Sequence, residues 1–171
     1  MCLRLVRRQP GIEVKPAAAK AGGRNLASKA RRRDLYIKVD HIGIAVRSLE
    51  EAIRVYSEGL GMGVTAVEDV PEQKTRVALI PVGESRIELL EATGDDSPVA
   101  RFIARRGEGI HHVCFEVDDL VATIARLKSA GIRMVDPEPR KGAGGRMVAF
   151  VHPSAPGGVL LELSQSMSTS G

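Results

Sequence analysis

Apolar and small or polar residues alternate from His41 to Val46 and again from His112 to Val117, which predicts two β-strands. Ile42, Ile44 and Val46 share one face of the first, as Val113, Phe115 and Val117 share one face of the second. The two segments lie 71 residues apart, and a helical pattern follows each. After the first, Ser48 with Glu51 forms a capping box, Leu49, Ala52, Ile53 and Tyr56 recur at helical spacing, and Gly59 stands just past the predicted end. After the second, Asp119 opens a helix carrying Leu120, Thr123, Ile124 and Leu127, which stops at Gly131. Shorter β-type segments come next, around 63–68, 75–81 and 85–91 in one half and 132–135, 146–151 and 158–163 in the other. The chain therefore reads as two βαβββ modules, about 38–95 and 109–165, an α+β architecture and not a doubly wound parallel sheet. Ser97 followed by Pro98 predicts a short helix to about Arg106 between the halves.

The ends differ from this body. Residues 1–34 carry no sustained apolar period and are rich in Gly, Pro, Ala and basic residues, so a disordered basic extension is expected there, with the folded domain over 35–166 and a frayed tail over 167–171. Residues 1–33 hold ten Lys or Arg against the single acid Glu13, a net +9 that leaves −5 for the remainder of a +4 chain. The high overall basicity thus belongs to the extension, and the body is mildly acidic. With aromatic content at 3% and no Trp, there is little from which to build a base-stacking platform for nucleic acid. No apolar run approaches the roughly 20 residues of a membrane-spanning helix. The two cysteines, Cys2 and Cys114, form neither a disulfide framework nor a thiolate zinc site. A reducing compartment fits: the cytoplasm, or the mitochondrial matrix if the Arg-rich, acid-poor extension acts as a transit peptide.

The faces opposite the apolar ones carry the candidate chemistry. They present His41, Gly43 and Ala45 in one module and His112, Cys114 and Glu116 in the other. In the closing strands, Ile87 and Leu89 oppose Glu88, while Val159, Leu161 and Leu163 oppose Glu162. Each module thus offers one His on its first strand and one Glu on its last. Any one of the four, taken alone, reads as an ordinary sheet residue. Four in register across an internal repeat read as ligands for a borderline divalent ion such as Co²⁺, Zn²⁺, Ni²⁺ or Mn²⁺, because carboxylates between leucines are costly to bury without a cation. His111 has the opposite phase to His112 and is expected on the helix side; His152 precedes Pro153 in a turn; Glu91 is expected in solvent; Glu116 is a weaker cavity candidate. The Gly-rich segment from Lys141 to Arg146 opens no helix, so it reads as a hairpin loop or a basic lid for anions and not as a Walker-type phosphate loop.

Taken together, residues 38–165 resemble the vicinal-oxygen-chelate (glyoxalase/bleomycin resistance/dioxygenase) superfamily, and within it the methylmalonyl-CoA epimerases. The resemblance rests on Asp40-His41-Ile-Gly-Ile-Ala-Val46, Pro71-Glu72-Gln73, Ile87-Glu88-Leu-Leu90, Asp96-Ser97-Pro98-Val-Ala100, the double His within Gly109–Asp118, Gly142-Ala-Gly-Gly145, His152-Pro153 and Gly158–Leu163. It implies a cupped sheet around a metal site, with one divalent ion per chain, cobalt first and Mn²⁺, Ni²⁺, Zn²⁺ or Mg²⁺ as alternatives. That ion is held at the positions of His41, His112 and Glu162, with Glu88 completing the set. It also implies an acyl-CoA thioester as substrate, a homodimer, and neither nucleic acid nor membrane as partner. Some bacterial epimerases carry a proposed catalytic Glu where this chain has Val77, and that role does not transfer. Proton removal and return at C2 of the thioester then fall to Glu88 and Glu162, one on each side. Lys74, Arg76, Arg105, Arg106, Arg140, Lys141 and Arg146 are the cations available for CoA phosphates. The competing readings are a glyoxalase I type lactoylglutathione lyase and a metal-free small-molecule binding protein on the same scaffold.

Overall fold

The structure, a computed structural model, describes residues 36–142 and 145–166. The expectations for 1–34 and 167–171 lie outside the described residues. Strand β1 (Tyr36–Val46) leads into helix α1 (Leu49–Arg54), followed by β2 (Ala66–Val70), β3 (Thr75–Val82) and β4 (Ser85–Ala92). Helix α2 (Pro98–Arg106) connects to the second half, made of β5 (Gly109–Val117), α3 (Leu120–Ser129), β6 (Arg140–Lys141), β7 (Met147–Val151) and β8 (Leu160–Gln165). The strands form one sheet in the order β2-β3-β4-β1-β5-β8-β7-β6. Within each half the first and last strands pair in parallel, β1 with β4 and β5 with β8, because the helix and two intervening strands supply the long crossover a parallel pair needs. The halves meet at the antiparallel β1–β5 seam. The order is the same read from either end, as a duplicated βαβββ unit requires.

Both module helices start where their caps predict. The Ser48 side chain accepts from the Glu51 backbone N–H at 3.2 Å, and that of Asp119 from Ala122 at 2.9 Å. The carboxylate that joins Ser48 at this end is not Glu51, as a capping box would have it, but Glu91 of β4, which accepts from the Leu49 N–H at 3.1 Å. Glu91 is therefore a helix cap and not a solvated residue. Gln165 of β8 does the same for Leu120 at 3.0 Å. Helix α1 packs Leu49, Ala52, Ile53 and Tyr56 against Val46, Ala78, Ile80 and Leu89, while α3 packs Leu120, Ile124 and Leu127 against Val117, Ala149, Val151 and Leu163.

Three details depart from the sequence reading. Gly59 does not end the first helix, because a π-helical turn carries it through Val55–Gly59 and the chain turns at Gly61, with φ +69°. Segment 132–135 is not a strand. It makes one bridge, Met134 to Val151, and the donorless Pro137 and Pro139 break the pairing before it resumes at Arg140–Lys141. Ala45 does not line the cavity: α2, capped by Ser97 through the Ala100 N–H at 2.9 Å, buries Val99 and Ile103 against Ala45, Val77 and Leu90. One end of the sheet's inner face is thus closed by α2, and the polar residues gather in the part left open.

Candidate metal centre

The seam of the two modules brings the matched residues together. His41 on β1 and His112 on β5 are both buried, with their Nε2 atoms 3.0 Å apart. Glu162, opposite Cys114 and Phe150 in the middle of β8, points one oxygen between them, 3.4 Å from His41 Nε2 and 3.2 Å from His112 Nε2. Ligand atoms about 2.0–2.2 Å from one cation in tetrahedral or octahedral geometry are separated by about 3.0–3.5 Å along the edges of the polyhedron. This triangle of two nitrogens and one oxygen has those edges, and its imidazole and carboxylate donors suit a borderline divalent ion. Glu88 on β4 also reaches the cluster, and single ligand atoms of His41, Glu88 and His112 lie within 4.8 Å of one another. Its Oε1 lies 3.6 Å from His41 Nδ1, not from the Nε2 that faces His112, and it also accepts from Arg86 Nε at 2.7 Å.

Gly43 lets the halves close. It sits opposite both Glu88 and His112 in the sheet, and a Cβ at this position would come within 2.3 Å of His112 Cε1. Only a residue without a side chain lets the His112 ring lie across β1 and meet His41.

Around this cluster runs a layer of charge in which the sequence reading named only Glu116, as a weaker cavity candidate, and Arg146, as a cation for CoA phosphates. Asp40 Oδ2 lies 3.2 Å from His41 Nδ1 and fixes that ring, while both Asp40 oxygens accept from the Arg86 guanidinium at 3.0 and 3.2 Å. Arg146 adds bonds from Nη2 to Ser164 Oγ at 3.2 Å and Glu116 Oε1 at 3.3 Å. The signal for Arg86 was present as an Arg two residues before Glu88 on the same strand face. Asp40 gave none, because its partner is 46 residues away.

The electrostatics follow. Burial works against a charged His41, but the Asp40 hydrogen bond, then contacts to Cys114, Glu162 and Glu88, overcome it and push the group up to about 12. Burial likewise opposes ionisation of Glu162, and bonds from His112 and His41 reverse it, bringing the carboxyl down to about 2. Asp40 is held below the usual carboxylate range against its own burial by His41, Arg86 and Arg146. His111, whose Nδ1 lies 2.9 Å from His112 Nδ1, is pushed down to about 4 by burial and by the neighbouring ring. Its own ring packs on Phe102 of α2, the helix side that its phase predicted. Cys114 is buried behind His41, and desolvation raises its thiol. His152 bonds Ser154 at 2.8 Å in its turn.

Either side of the Gly-rich segment, Lys141 pairs with Met147 and the Gly142 N–H donates to Arg146 O at 2.9 Å, while Ala143 and Gly144 lie outside the described residues. A cavity of about 280 Å³ opens beside the cluster, lined by Glu68, Val70, Val77, Leu79, Arg86, Glu88 and Arg146. A second, of about 460 Å³, lies against α2 and His111. Arg105 and Arg106, both among the candidate phosphate ligands, line it together with Arg101, which the sequence reading did not name. Among the described residues no helix is long and apolar enough to cross a membrane.

The twofold-repeated βαβββ sheet carries a His-His-Glu triangle at its seam, and comparison with known proteins identifies its family. Residues 40–150 match the profile of the glyoxalase/bleomycin resistance protein/dioxygenase superfamily. The ethylmalonyl-CoA/methylmalonyl-CoA epimerase of Cereibacter sphaeroides is 42% identical over 75% of this chain and 97% of its own. The mitochondrial methylmalonyl-CoA epimerase of Mus musculus is 39% identical over 75% of this chain and 73% of its own. A Streptomyces coelicolor methylmalonyl-CoA epimerase variant solved in complex with 2-nitronate-propionyl-CoA superimposes with a TM-score of 0.73 at 36% identity, covering 78% of this chain and 96% of that one. The chain belongs to the glyoxalase/bleomycin resistance/dioxygenase superfamily, in the branch formed by the methylmalonyl-CoA epimerases.

Proposed function

We infer that the chain epimerises methylmalonyl-CoA by removing the C2 proton and returning it to the opposite face. The observation that carries the reading is the His41–His112–Glu162 triangle at the module seam, with its 3.0–3.4 Å edges, in a chain of the epimerase branch. His41, His112 and Glu162 hold the divalent ion in this reading, with Glu88 as the outlying fourth residue; cobalt is the ion proposed, ahead of Mn²⁺, Ni²⁺, Zn²⁺ or Mg²⁺. When bound, the ion supplies Lewis-acid stabilisation of the negative charge that develops on the thioester oxygen.

The chain's own residues do the rest. Breaking the C2–H bond sends the proton to one carboxylate and its electron pair into the enolate. The other carboxylate takes a proton from solvent and delivers it to the opposite face, and exchange with solvent resets both. Glu162 and Glu88 come from the matched strands β8 and β4, so they approach from the two modules, which supports one acting on each face. Asp40 orients His41, and the Arg86 bond holds Glu88 Oε1 in place. Val70, Val77 and Leu79 form an apolar wall that limits water near the enolate. Arg101, Arg105 and Arg106 around the larger cavity support a CoA phosphate end there. The same reading assigns residues 35–166 as the functional domain. It makes the chain a homodimer, and places it in the cytoplasm, or in the mitochondrial matrix should residues 1–34 act as a transit peptide.

Incubation of the cobalt-loaded protein with (2S)-methylmalonyl-CoA in D₂O tests the function. The expected result is formation of the 2R epimer with deuterium at C2. Turnover of the glutathione hemithioacetal of methylglyoxal instead, with no deuterium entering methylmalonyl-CoA, would overturn it in favour of the lyase.

A further inference from the structure

The cavity beside the cluster has an apolar strip with a carboxylate on either side. Glu68 of β2 stands directly opposite Val77 of β3, and Leu79, two residues on, stands directly opposite Glu88 of β4. Residues opposite one another across a ladder share a face, as do residues two apart along a strand, so all four side chains project from the face that lines the cavity. Glu88 is at the inner side, next to His41, and Glu68 is at the outer side, on the strand that ends the sheet.

The two carboxylates differ in their commitments. Glu88 accepts from Arg86 Nε at 2.7 Å, and its side chain is only 14% exposed. Both cations of the cavity are engaged as well: Arg86 also donates to Asp40 at 3.0 and 3.2 Å, and Arg146 is held by Ser164 at 3.2 Å and Glu116 at 3.3 Å. Asp69, of opposite phase to Glu68, has Arg76 as its partner at 3.9 Å. Glu68 is exposed, and among the described residues it makes neither a hydrogen bond nor an ion pair. Both its oxygens are therefore left to exchange protons with water. A cavity of about 280 Å³ has room for several waters, each of which takes about 30 Å³ in the liquid.

Epimerisation makes a demand that Glu88 alone meets poorly. A turnover that leaves the C2 proton on Glu88 must clear it before the next, and Glu88 is largely covered and tied to Arg86. Resting on the epimerase reading, we propose that Glu68 is a proton-relay residue, which passes protons between Glu88 and bulk solvent after the product has left. The Glu88 O–H bond breaks as its proton moves to a cavity water, a proton of that water bonds to a Glu68 oxygen, and Glu68 releases it to bulk water. The net change on the protein is a proton moved from one carboxyl to the other, and the reverse path reloads Glu88. Val77 and Leu79 stand between the two groups, so a thioester packed against that strip interrupts the water path and confines the relay to the interval between turnovers.

The test follows the cobalt-loaded full chain with methylmalonyl-CoA deuterated at C2, in H₂O, for wild type, Glu68→Gln and Glu68→Asp, with metal content measured for each. Wild type is expected to lose the label to solvent. In Glu68→Gln the label stays on Glu88 between turnovers and returns to a later substrate molecule, so deuterium kept per epimerisation event rises. Its kcat should fall about tenfold, less than the 10²–10⁴-fold of a group that acts on C2 itself. KM and metal content stay within about twofold. Added acetate, a diffusible carboxylate, should restore both rate and label loss where chloride at equal ionic strength does not, and Glu68→Asp, which keeps the carboxylate, should recover most of the loss. Unchanged kcat and label loss in Glu68→Gln, or a slower variant that acetate does not rescue and that loses its label as wild type does, overturns the relay and leaves the function standing. A wild type that does not epimerise methylmalonyl-CoA overturns both.

Discussion

The two modules place the same residues at the same points and surround them differently. His41 matches His112, Glu88 matches Glu162, and the helix-capping Glu91 matches Gln165. Their neighbours have diverged: where the first module has Asp40 and Arg86, the second has His111 and Leu160. In the first half Asp40 and Arg86 build an ionic frame around His41, and Arg86 draws Glu88 outward. In the second half no cation competes at the matching position, and Glu162 turns inward to both imidazoles. Duplication thus supplies a symmetric set of side chains, and divergence next to them leaves one carboxylate facing both imidazoles and the other turned toward Arg86. The halves share a scaffold but not a charge environment.

Breaking the pair of carboxylates gives the largest expected effect. Glu162→Gln removes both a proposed ligand and a proposed acid–base group, and epimerisation should fall about 10²–10⁴-fold with loss of bound metal. Glu88→Gln should retain the metal, because the triangle of His41, His112 and Glu162 is intact, while isotope exchange at one face of C2 slows selectively. Near-normal epimerisation by Glu88→Gln, with metal retained, would remove Glu88 as an obligatory base. Next comes the seam: Gly43→Ala puts a methyl group into the His112 ring, so His112 must withdraw and metal content should drop below half an equivalent in a protein that still melts cooperatively.

The asymmetric frame around His41 predicts a smaller, pH-dependent effect. In chelator-treated protein His41 is raised to about 12 from an ordinary 6.5, so its contribution to stability is fully present below about pH 6.5 and is lost progressively as the pH climbs toward 12. The melting temperature of the metal-free protein should therefore decline from pH 6.5 to pH 9. Asp40→Asn, which removes the hydrogen bond that most raises His41, should flatten that slope and weaken metal binding about 10–100-fold. Metal uptake at pH 7 should release about one proton, read by calorimetry in buffers of different ionisation enthalpy. The smallest effect tests where the halves agree: Glu91→Ala and Gln165→Ala each remove one cap and should cost about 1 kcal/mol by chemical denaturation, with no change in metal affinity.

Much of this arrangement was legible along the chain because it is periodic. Alternation places His41, His112, Glu88 and Glu162 on faces opposite the core, and a common offset between the halves marks a duplication, both of which are local or additive signals. What escaped was contact between distant segments. Glu91 read as solvated because nothing nearby in sequence shows that its strand ends beside the start of α1. Ala45 read as cavity lining because α2 had no address until the chain folded.

The amino-acid sequence alone determined the two βαβββ units, their capped helices and the matched His and Glu positions, since each depends on side chains a few residues apart. Tertiary structure decided that the halves meet at β1 and β5, that Gly43 opens the way for the His112 ring, and that Arg86 is engaged by Glu88 and Asp40. Strand order and register bring together groups tens of residues apart, and the low dielectric between them then sets which charges pair.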